Sequence, residues 1–300
     1  MAYIIQTTLT LGCVYSLVAL ALFLSYRILD IADLTTDGCY VLGMAVSVTC
    51  AYYGHPLLAI LLATISGACA GFVTAFLQTR LGVPSILAGI VTNTGLYTIN
   101  LMVMGWSSNI ALLKKETIFT LFRNLLNSSW ADLVVVMIAT VLCMVFMLWF
   151  LSTRLGLSIR ATGDNRDMVS ASSINPRFTV TVGLMIANCF TALSGALVGQ
   201  MQKSADINAG TGIVVIGLAC LIIGETVING RKSIKRNVLA VLVGNIIYRF
   251  IYAIILQTRI FPIDFLKLVT AVLVALAIAA PKLKENYSLY KRARRESRNA

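Results

Sequence analysis

Charge is what this 300-residue chain has least of: Asp, Glu, Lys and Arg fill only 12% of its positions, while 58% are hydrophobic. A soluble domain carries roughly 25% charged residues, so a water-exposed globule is excluded and the chain reads as a membrane protein. Histidine is nearly missing. His55 is the single one and sits in the turn Gly54-His55-Pro56, so neither a histidine-based triad nor a His-rich metal site can be assembled. The seven cysteines (Cys13, Cys39, Cys50, Cys69, Cys143, Cys189, Cys220) are scattered through apolar runs with no metal-like pairing, and they read as small buried hydrophobes. A nucleotide-binding loop is also absent. Gly230-Arg231-Lys232-Ser233 comes nearest, but Gly224 lies one residue too far upstream and Arg231 separates the glycine from the lysine. These absences leave no enzyme constellation, no metal site and no cofactor held by the chain.

What the chain has is long apolar runs. They are about 20 residues long and do not alternate, which selects membrane-spanning helices over a barrel, because hydrocarbon offers backbone groups no water. The runs are Ile4–Tyr26, Cys39–Tyr53, Leu57–Gln78, one from Pro84 to about Met104, Leu133–Leu151, Thr179–Val198, Thr211–Ile223, Asn237–Leu256 and Phe265–Ala280. The expectation is an all-α polytopic membrane protein of about nine transmembrane helices, forming one domain over residues 1–300. The first run exceeds a signal-peptide core and has no basic region before it, so it is expected to remain as a span.

The net charge of +12 lies mostly in short loops and in the basic tail 282–300, which is a positive-inside pattern rather than a nucleic-acid patch. One internal island reverses the composition: Arg160 to Phe178, with Arg160, Asp164, Arg166, Asp167 and Arg177 between two apolar runs. Placing this island in the cytoplasm also places Arg27, Arg80, Arg154, the 231–236 cluster and the tail there, about 17 of the 24 Lys and Arg. The N-terminus is then outside and the C-terminus inside. The tail reads as an anchor to anionic lipid. On the outer side, Thr117–Leu126 has an amphipathic pattern suited to the outer leaflet or to seating an external partner.

Two stretches echo each other. Ala32-Asp33-Leu34, Gly38 and Leu42-Gly43-Met44-Ala45 correspond to Ala205-Asp206-Ile207, Gly212 and Ile216-Gly217-Leu218-Ala219. Each joins an apolar run to a shorter one, on opposite faces in the topology above. That is the trace of an inverted repeat whose broken helices line a central path. Polar groups inside such runs are the functional candidates. Asp33, Thr35, Thr36, Asp37, Gly38, Asn93 and Asp206 are the expected solute pathway. Asn100, Asn188, Asn245 and Gln200 read as interhelical hydrogen-bonding groups, and the spacings Gly67/Gly71 and Gly195/Gly199 as close-packing surfaces.

Several motifs resemble one family. LTLGCVYSLVALAL at 9–22, RATGDN at 160–165 followed by SSIN at 172–175, and GLACLIIGE at 217–225 resemble the integral-membrane permeases of branched-chain amino acid and ribose type ABC importers. DLTTDG at 33–38 and LGVPSILAGI at 81–90 look most like a subgroup linked to aromatic amino acids. The resemblance implies a permease domain in a bacterial inner membrane, paired as a homodimer. Its implied partners are a cytoplasmic ATPase subunit that uses the ATP and an extracytoplasmic solute-binding protein. It also implies that 158–177 is a coupling loop. Gly163 would precede a short helix formed by Asp164 to Ser173, with Asp164 as N-cap and Pro176 stopping it. The ATPase-coupling residues would be Gly163, Asp164, Asn165, Arg166, Asp167, Met168, Ser170, Ala171, Ser173 and Ile174. Ser173 stands where the family commonly has glycine, which a left-handed turn would favour. The alternative from a different class is an autonomous ion-coupled carrier with an inverted repeat, using Asp33, Asp37 and Asp206 as ion ligands.

Overall fold

The computed structural model describes residues 2–113, 115–126, 130–228 and 233–258, with a few positions between 268 and 279. In chain order these form α1 (Ala2–Leu22), a π-helical segment (Phe23–Ile28), α2 (Thr36–Tyr52), α3 (Pro56–Thr79) and α4 (Ser85–Val103). Then come β1 (Asn109–Ala111), α5 (Ile118–Leu126), α6 (Ala131–Ser152), α7 (Arg154–Asp164), α8 (Arg166–Ala171), α9 (Pro176–Gln202), β2 (Ser204–Asp206), α10 (Ile213–Ile228) and α11 (Ile234–Thr258).

Six helical stretches are long and apolar enough to cross a bilayer: Ile5–Ile28, α3, α4, α6, α9 and Ile234–Gln257. Even the shortest, the 19-residue α4, rises about 29 Å at 1.5 Å per residue, close to the hydrocarbon thickness. The 17-residue α2 and the 16-residue α10 rise only about 26 and 24 Å. Together these helices account for the first eight of the nine expected runs. Among the described residues six are full length and two are short, because polar loops consume the start of each short run. The ninth run, Phe265–Ala280, lies largely outside the described residues, as do Arg231, Lys232 and the tail 282–300.

The bundle is organised from the inside. The most apolar windows of α1 and α9 are 78% and 72% buried, against 28–33% for α3, α4, α6 and α11, so α1 and α9 form the centre and the others a rim. Small residues let α2 and α3 press onto α9. A Cβ on Gly67 or Gly71 would lie 2.5 Å from the carbonyl oxygen of Asn188 or Leu184, and one on Gly195 would lie 2.0 Å from that of Tyr40. Helices without a hydrophobic drive in lipid associate through such close backbone approach, and the glycine spacings serve this packing.

Breaks fall where the sequence chemistry puts them. Pro56 and Pro176 occupy the first turns of α3 and α9, where a missing N–H costs nothing. The chain leaves α1 through a π turn, in which the Leu29 N–H donates to Leu24 O at 3.0 Å. Asp30 then takes φ 54° and the loop runs to α2. The strand pair was not anticipated: β1 and β2 are antiparallel, with Asn109 opposite Asp206 and Ala111 opposite Ser204. The amphipathic stretch 117–126 does form a helix, α5. Ile118 and Phe119 are buried while Leu125 is exposed, and the Ile118 N–H donates to Gln200 Oε1 at 2.9 Å.

Candidate functional site

The loop before α2 carries two aspartates four residues apart, and they do different work. Asp33 starts the helix: its Oδ1 accepts the Thr35 N–H at 2.9 Å, and its backbone oxygen accepts the Thr36 hydroxyl at 3.1 Å. Its Oδ2 accepts an N–H of the Asn188 amide at 2.8 Å, tying the loop to α9. The Thr35 and Thr74 hydroxyls share a hydrogen bond of 2.8 Å that ties it to α3. Asp33, Thr35 and Thr36 are all buried, and they do not line the polar cavity described next.

Asp37, one turn further on, reaches α10. Its Oδ2 accepts the Gly212 N–H at 3.1 Å and its Oδ1 the Val214 N–H at 2.9 Å. These are donors that the first turn of a helix leaves unpaired, at the positive end of its dipole. The two short helices thus meet N-terminus to N-terminus across one carboxylate. Ahead of α10, Gly212 takes φ 83°, which glycine adopts without strain, and Asp206 accepts the Asn208 N–H at 2.7 Å. Asp206 itself is exposed and shapes the turn rather than lining the cavity.

Beside this junction is a cavity of about 340 Å³, lined by Asp37, Gly38, Val41, Asn93, Thr94, Tyr97, Asn100, Ile207, Asn208, Gly210 and Thr211. Of the expected pathway residues it gathers Asp37, Gly38 and Asn93. Asn100 donates to the Gly38 carbonyl at 3.1 Å, and its buried Oδ1 has no partner. A Cβ on Gly38 would stand 2.3 Å from Asn93 Oδ1, so glycine lets the Asn93 amide lie against α2. Amides, hydroxyls, one ring and one carboxylate make a wall suited to a small polar solute with an apolar part. Tyr97, Thr94, Asn208 and Thr211 were missed from the sequence. The signal for Tyr97 was its spacing from Asn93 and Asn100, four and three residues, which is one face of a helix.

The polar island folds into α7 and α8. Gly163 lies in the last turn of α7, where a Cβ would come 1.8 Å from the Ile28 carbonyl oxygen, so α7 rests directly on the end of the π segment. The expected helix start is corrected. Asp164 ends α7, and Asn165 is the N-cap of α8, its Oδ1 accepting the N–H groups of Asp167 and Met168 at 3.0 Å each. The reason is that Asn165 takes the extended backbone of a cap, φ −160° and ψ 107°, while Asp164 stays within the helix of α7. The expected helix end at Ser173 is corrected too. α8 closes at Ala171, Ser173 takes φ 61°, and the Ile174 N–H donates to Val169 O at 3.3 Å, a left-handed close made without glycine. Val169 is buried, whereas Asp164 to Met168, Ser170, Ala171 and Ser173 are exposed. The buried Thr162 and Thr179 hydroxyls, 2.8 Å apart, pin the island to α9.

The described residues contain no cluster of three or more His, Cys, Asp or Glu able to hold a metal ion. The profile of the family described as "Branched-chain amino acid transport system / permease component" matches residues 4–280. Over 288 residues the chain is 34% identical to a tyrosine transport system permease protein of Clostridioides difficile (strain R20291), covering 96% of this chain and 94% of that protein. It is 32% identical over 272 residues to an uncharacterized protein of Rickettsia prowazekii (strain Madrid E), covering 89% and 93%. It is also 32% identical over 108 residues to the D-allose transport system permease protein of Escherichia coli (strain K12), covering 35% and 32%. No solved structure matches the chain.

Proposed function

The chain belongs to the permease component family of branched-chain amino acid transport systems, and from that membership we propose that it is the membrane subunit of an ATP-driven importer of an amino acid. The relative named for tyrosine transport, alike over nearly the full length of both chains, favours an aromatic amino acid. In this reading two copies pair in the bacterial inner membrane, with the N-terminus outside and the basic tail in the cytoplasm. A binding protein delivers the solute from outside, a separate ATPase subunit hydrolyses the ATP, and the permease supplies shape and polarity.

The observation that carries the reading is the contact between the two ends of the machine. The exposed α8 rides on α7, and Gly163 of α7 bears on the Ile28 carbonyl. Five residues after Ile28 comes Asp33, bonded to α9, and then Asp37, which holds the start of α10 beside the cavity. Motion of the ATPase against α8 therefore has a short covalent and packed route to the Asp37 junction. Every residue of the proposed coupling set lies on this segment. Solute would rest in the cavity of Asp37, Gly38 and Asn93, while Asp33, Thr35 and Thr36 act from behind by fixing α2. An ion-coupled carrier is less well supported, since Asp33, Asp37 and Asp206 each spend carboxylate oxygens on protein N–H donors.

Replacing Asp164 to Ser173 by a Gly-Ser linker tests the docking role. The expected result is normal membrane insertion with loss of the co-purifying ATPase. Full retention of the ATPase by the linker variant would refute the assignment.

A further inference from the structure

Arg249 is a charged residue within a span. It stands at the sixteenth position of the 25-residue α11, with apolar turns on either side, and ionisable groups at such depth are expensive and are kept for a function. Its guanidinium carbon lies 3.7 Å from the centroid of the Tyr15 ring and 5.8 Å from that of Tyr252. Tyr15 in turn stacks on Tyr40 at 6.1 Å, and Tyr252 on Tyr248 at 6.5 Å. Ring faces stabilise the positive charge but accept none of the five guanidinium N–H donors in the strong in-plane manner.

No in-plane acceptor stands among the described residues. Among the described residues the ion pairs are Arg27–Glu225 and Arg123–Asp132, and neither involves Arg249. Its buried Nε has no hydrogen-bond partner, nor has the buried hydroxyl of Tyr248 one residue earlier. Two buried donors, Arg249 Nε and the Tyr248 hydroxyl, are thus unpaired beside a half-buried positive charge that lies against aromatic rings. A group that satisfies this set carries negative charge on planar oxygens, which is the fork geometry of a carboxylate, and tolerates aromatic faces around it.

We propose that Arg249, with Tyr248 and the rings of Tyr15 and Tyr252, forms a carboxylate-binding station for the transported amino acid within the membrane. The station is distinct from the Asp37 cavity, whose lining includes no Arg or Lys. The proposal rests on the amino acid reading above. It adds that the permease itself recognises the carboxylate.

The test uses the full-length permease in detergent without its partners, so that binding is read apart from transport. Its thermal unfolding is followed with phenylalanine, 3-phenylpropionate and phenethylamine as probes. The two carboxylates are expected to raise the melting temperature in a saturable manner and the amine is not. Arg249→Gln should abolish the shift. Tyr248→Phe, which removes only one hydroxyl, should weaken apparent binding several-fold while leaving the unliganded melting temperature unchanged. In the complete importer, Arg249→Gln should cut uptake at least tenfold and Arg249→Lys should retain part of it. Equal shifts from amine and carboxylates, or wild-type uptake by Arg249→Gln, would overturn the proposal. A chain that binds carboxylates through Arg249 yet imports no amino acid with its partners would sink the transport reading alone.

Discussion

Removing the Asp37 carboxylate should loosen α10 from α2 by a predictable amount. The group accepts two N–H donors, from Gly212 at 3.1 Å and from Val214 at 2.9 Å. Each buried donor left without an acceptor costs about 1–3 kcal/mol. Asp37 is half-buried, so water recovers part of this loss and the lower end of the range applies, roughly 2 kcal/mol for the pair. Losing a negative charge at the start of α10 adds about 0.5–1 kcal/mol. Asp37→Ala should therefore open the junction by about 3 kcal/mol, and Asp37→Asn, which keeps one acceptor oxygen, by about half as much. Amide hydrogen exchange reads this locally. With 1.4 kcal/mol per tenfold, Gly212 and Val214 should exchange about 100-fold faster in Asp37→Ala and about tenfold faster in Asp37→Asn. Amides in the middle of α9 should be unchanged. If Gly212 and Val214 exchange at the wild-type rate in Asp37→Ala, the carboxylate does not hold the two helices together.

Four other substitutions test contacts elsewhere in the fold. Gly163→Ala places a methyl 1.8 Å from the Ile28 carbonyl oxygen; the overpacking, about 1–3 kcal/mol, must shift α7. The expected outcome is an ATPase that still binds and hydrolyses ATP but drives less uptake, measured as solute moved per ATP in proteoliposomes. Ser173→Gly relieves a left-handed φ of 61° and should raise stability by about 1 kcal/mol, seen as a higher melting midpoint in detergent. Asn188→Leu removes the donor to Asp33 Oδ2 and leaves a buried carboxylate short of a partner. It should destabilise by about 3 kcal/mol, measured by titration with a denaturing detergent, whereas Asn93→Leu at the cavity should lower uptake with little change in that titration.

Much of the architecture was legible because hydrocarbon imposes it. The runs at 57–78 and 133–151 appear as α3 and α6 within a residue or two, since a span needs a fixed length of apolar chain. The shortness of α2 and α10 was visible in the runs themselves, and they form helices of only 17 and 16 residues. The β1–β2 pair could not be read, because three residues with no alternation carry no period. The start of α8 was misplaced by one residue because Asp164 and Asn165 are both good caps. Only Asn165 takes the extended backbone that a cap needs, while Asp164 stays helical.

The candidate site shows the same division between local and distant causes. Asp33 and Asp37 share a stretch, a charge and a side chain, and local chemistry treats both as polar groups near lipid. They separate because Asp33 finds its partners in its own turn and on Asn188, 155 positions away, whereas Asp37 finds its partners at Gly212 and Val214. One carboxylate is thereby enclosed in the packing between helices and the other is set at the edge of the cavity. The echo between 32–45 and 205–219 bears on why a junction exists there at all. At each stretch an apolar run halts and a short helix begins, and the N–H groups at the start of α10 face the first turn of α2. A single acidic group on α2, Asp37, satisfies these donors. Gly210, packed against Asp37, has no side chain, and a Cβ there would stand 2.2 Å from the Asp37 carbonyl oxygen. The lack of a side chain at Gly210 lets the two segments approach each other beside the cavity that Asp37 and Gly210 both line.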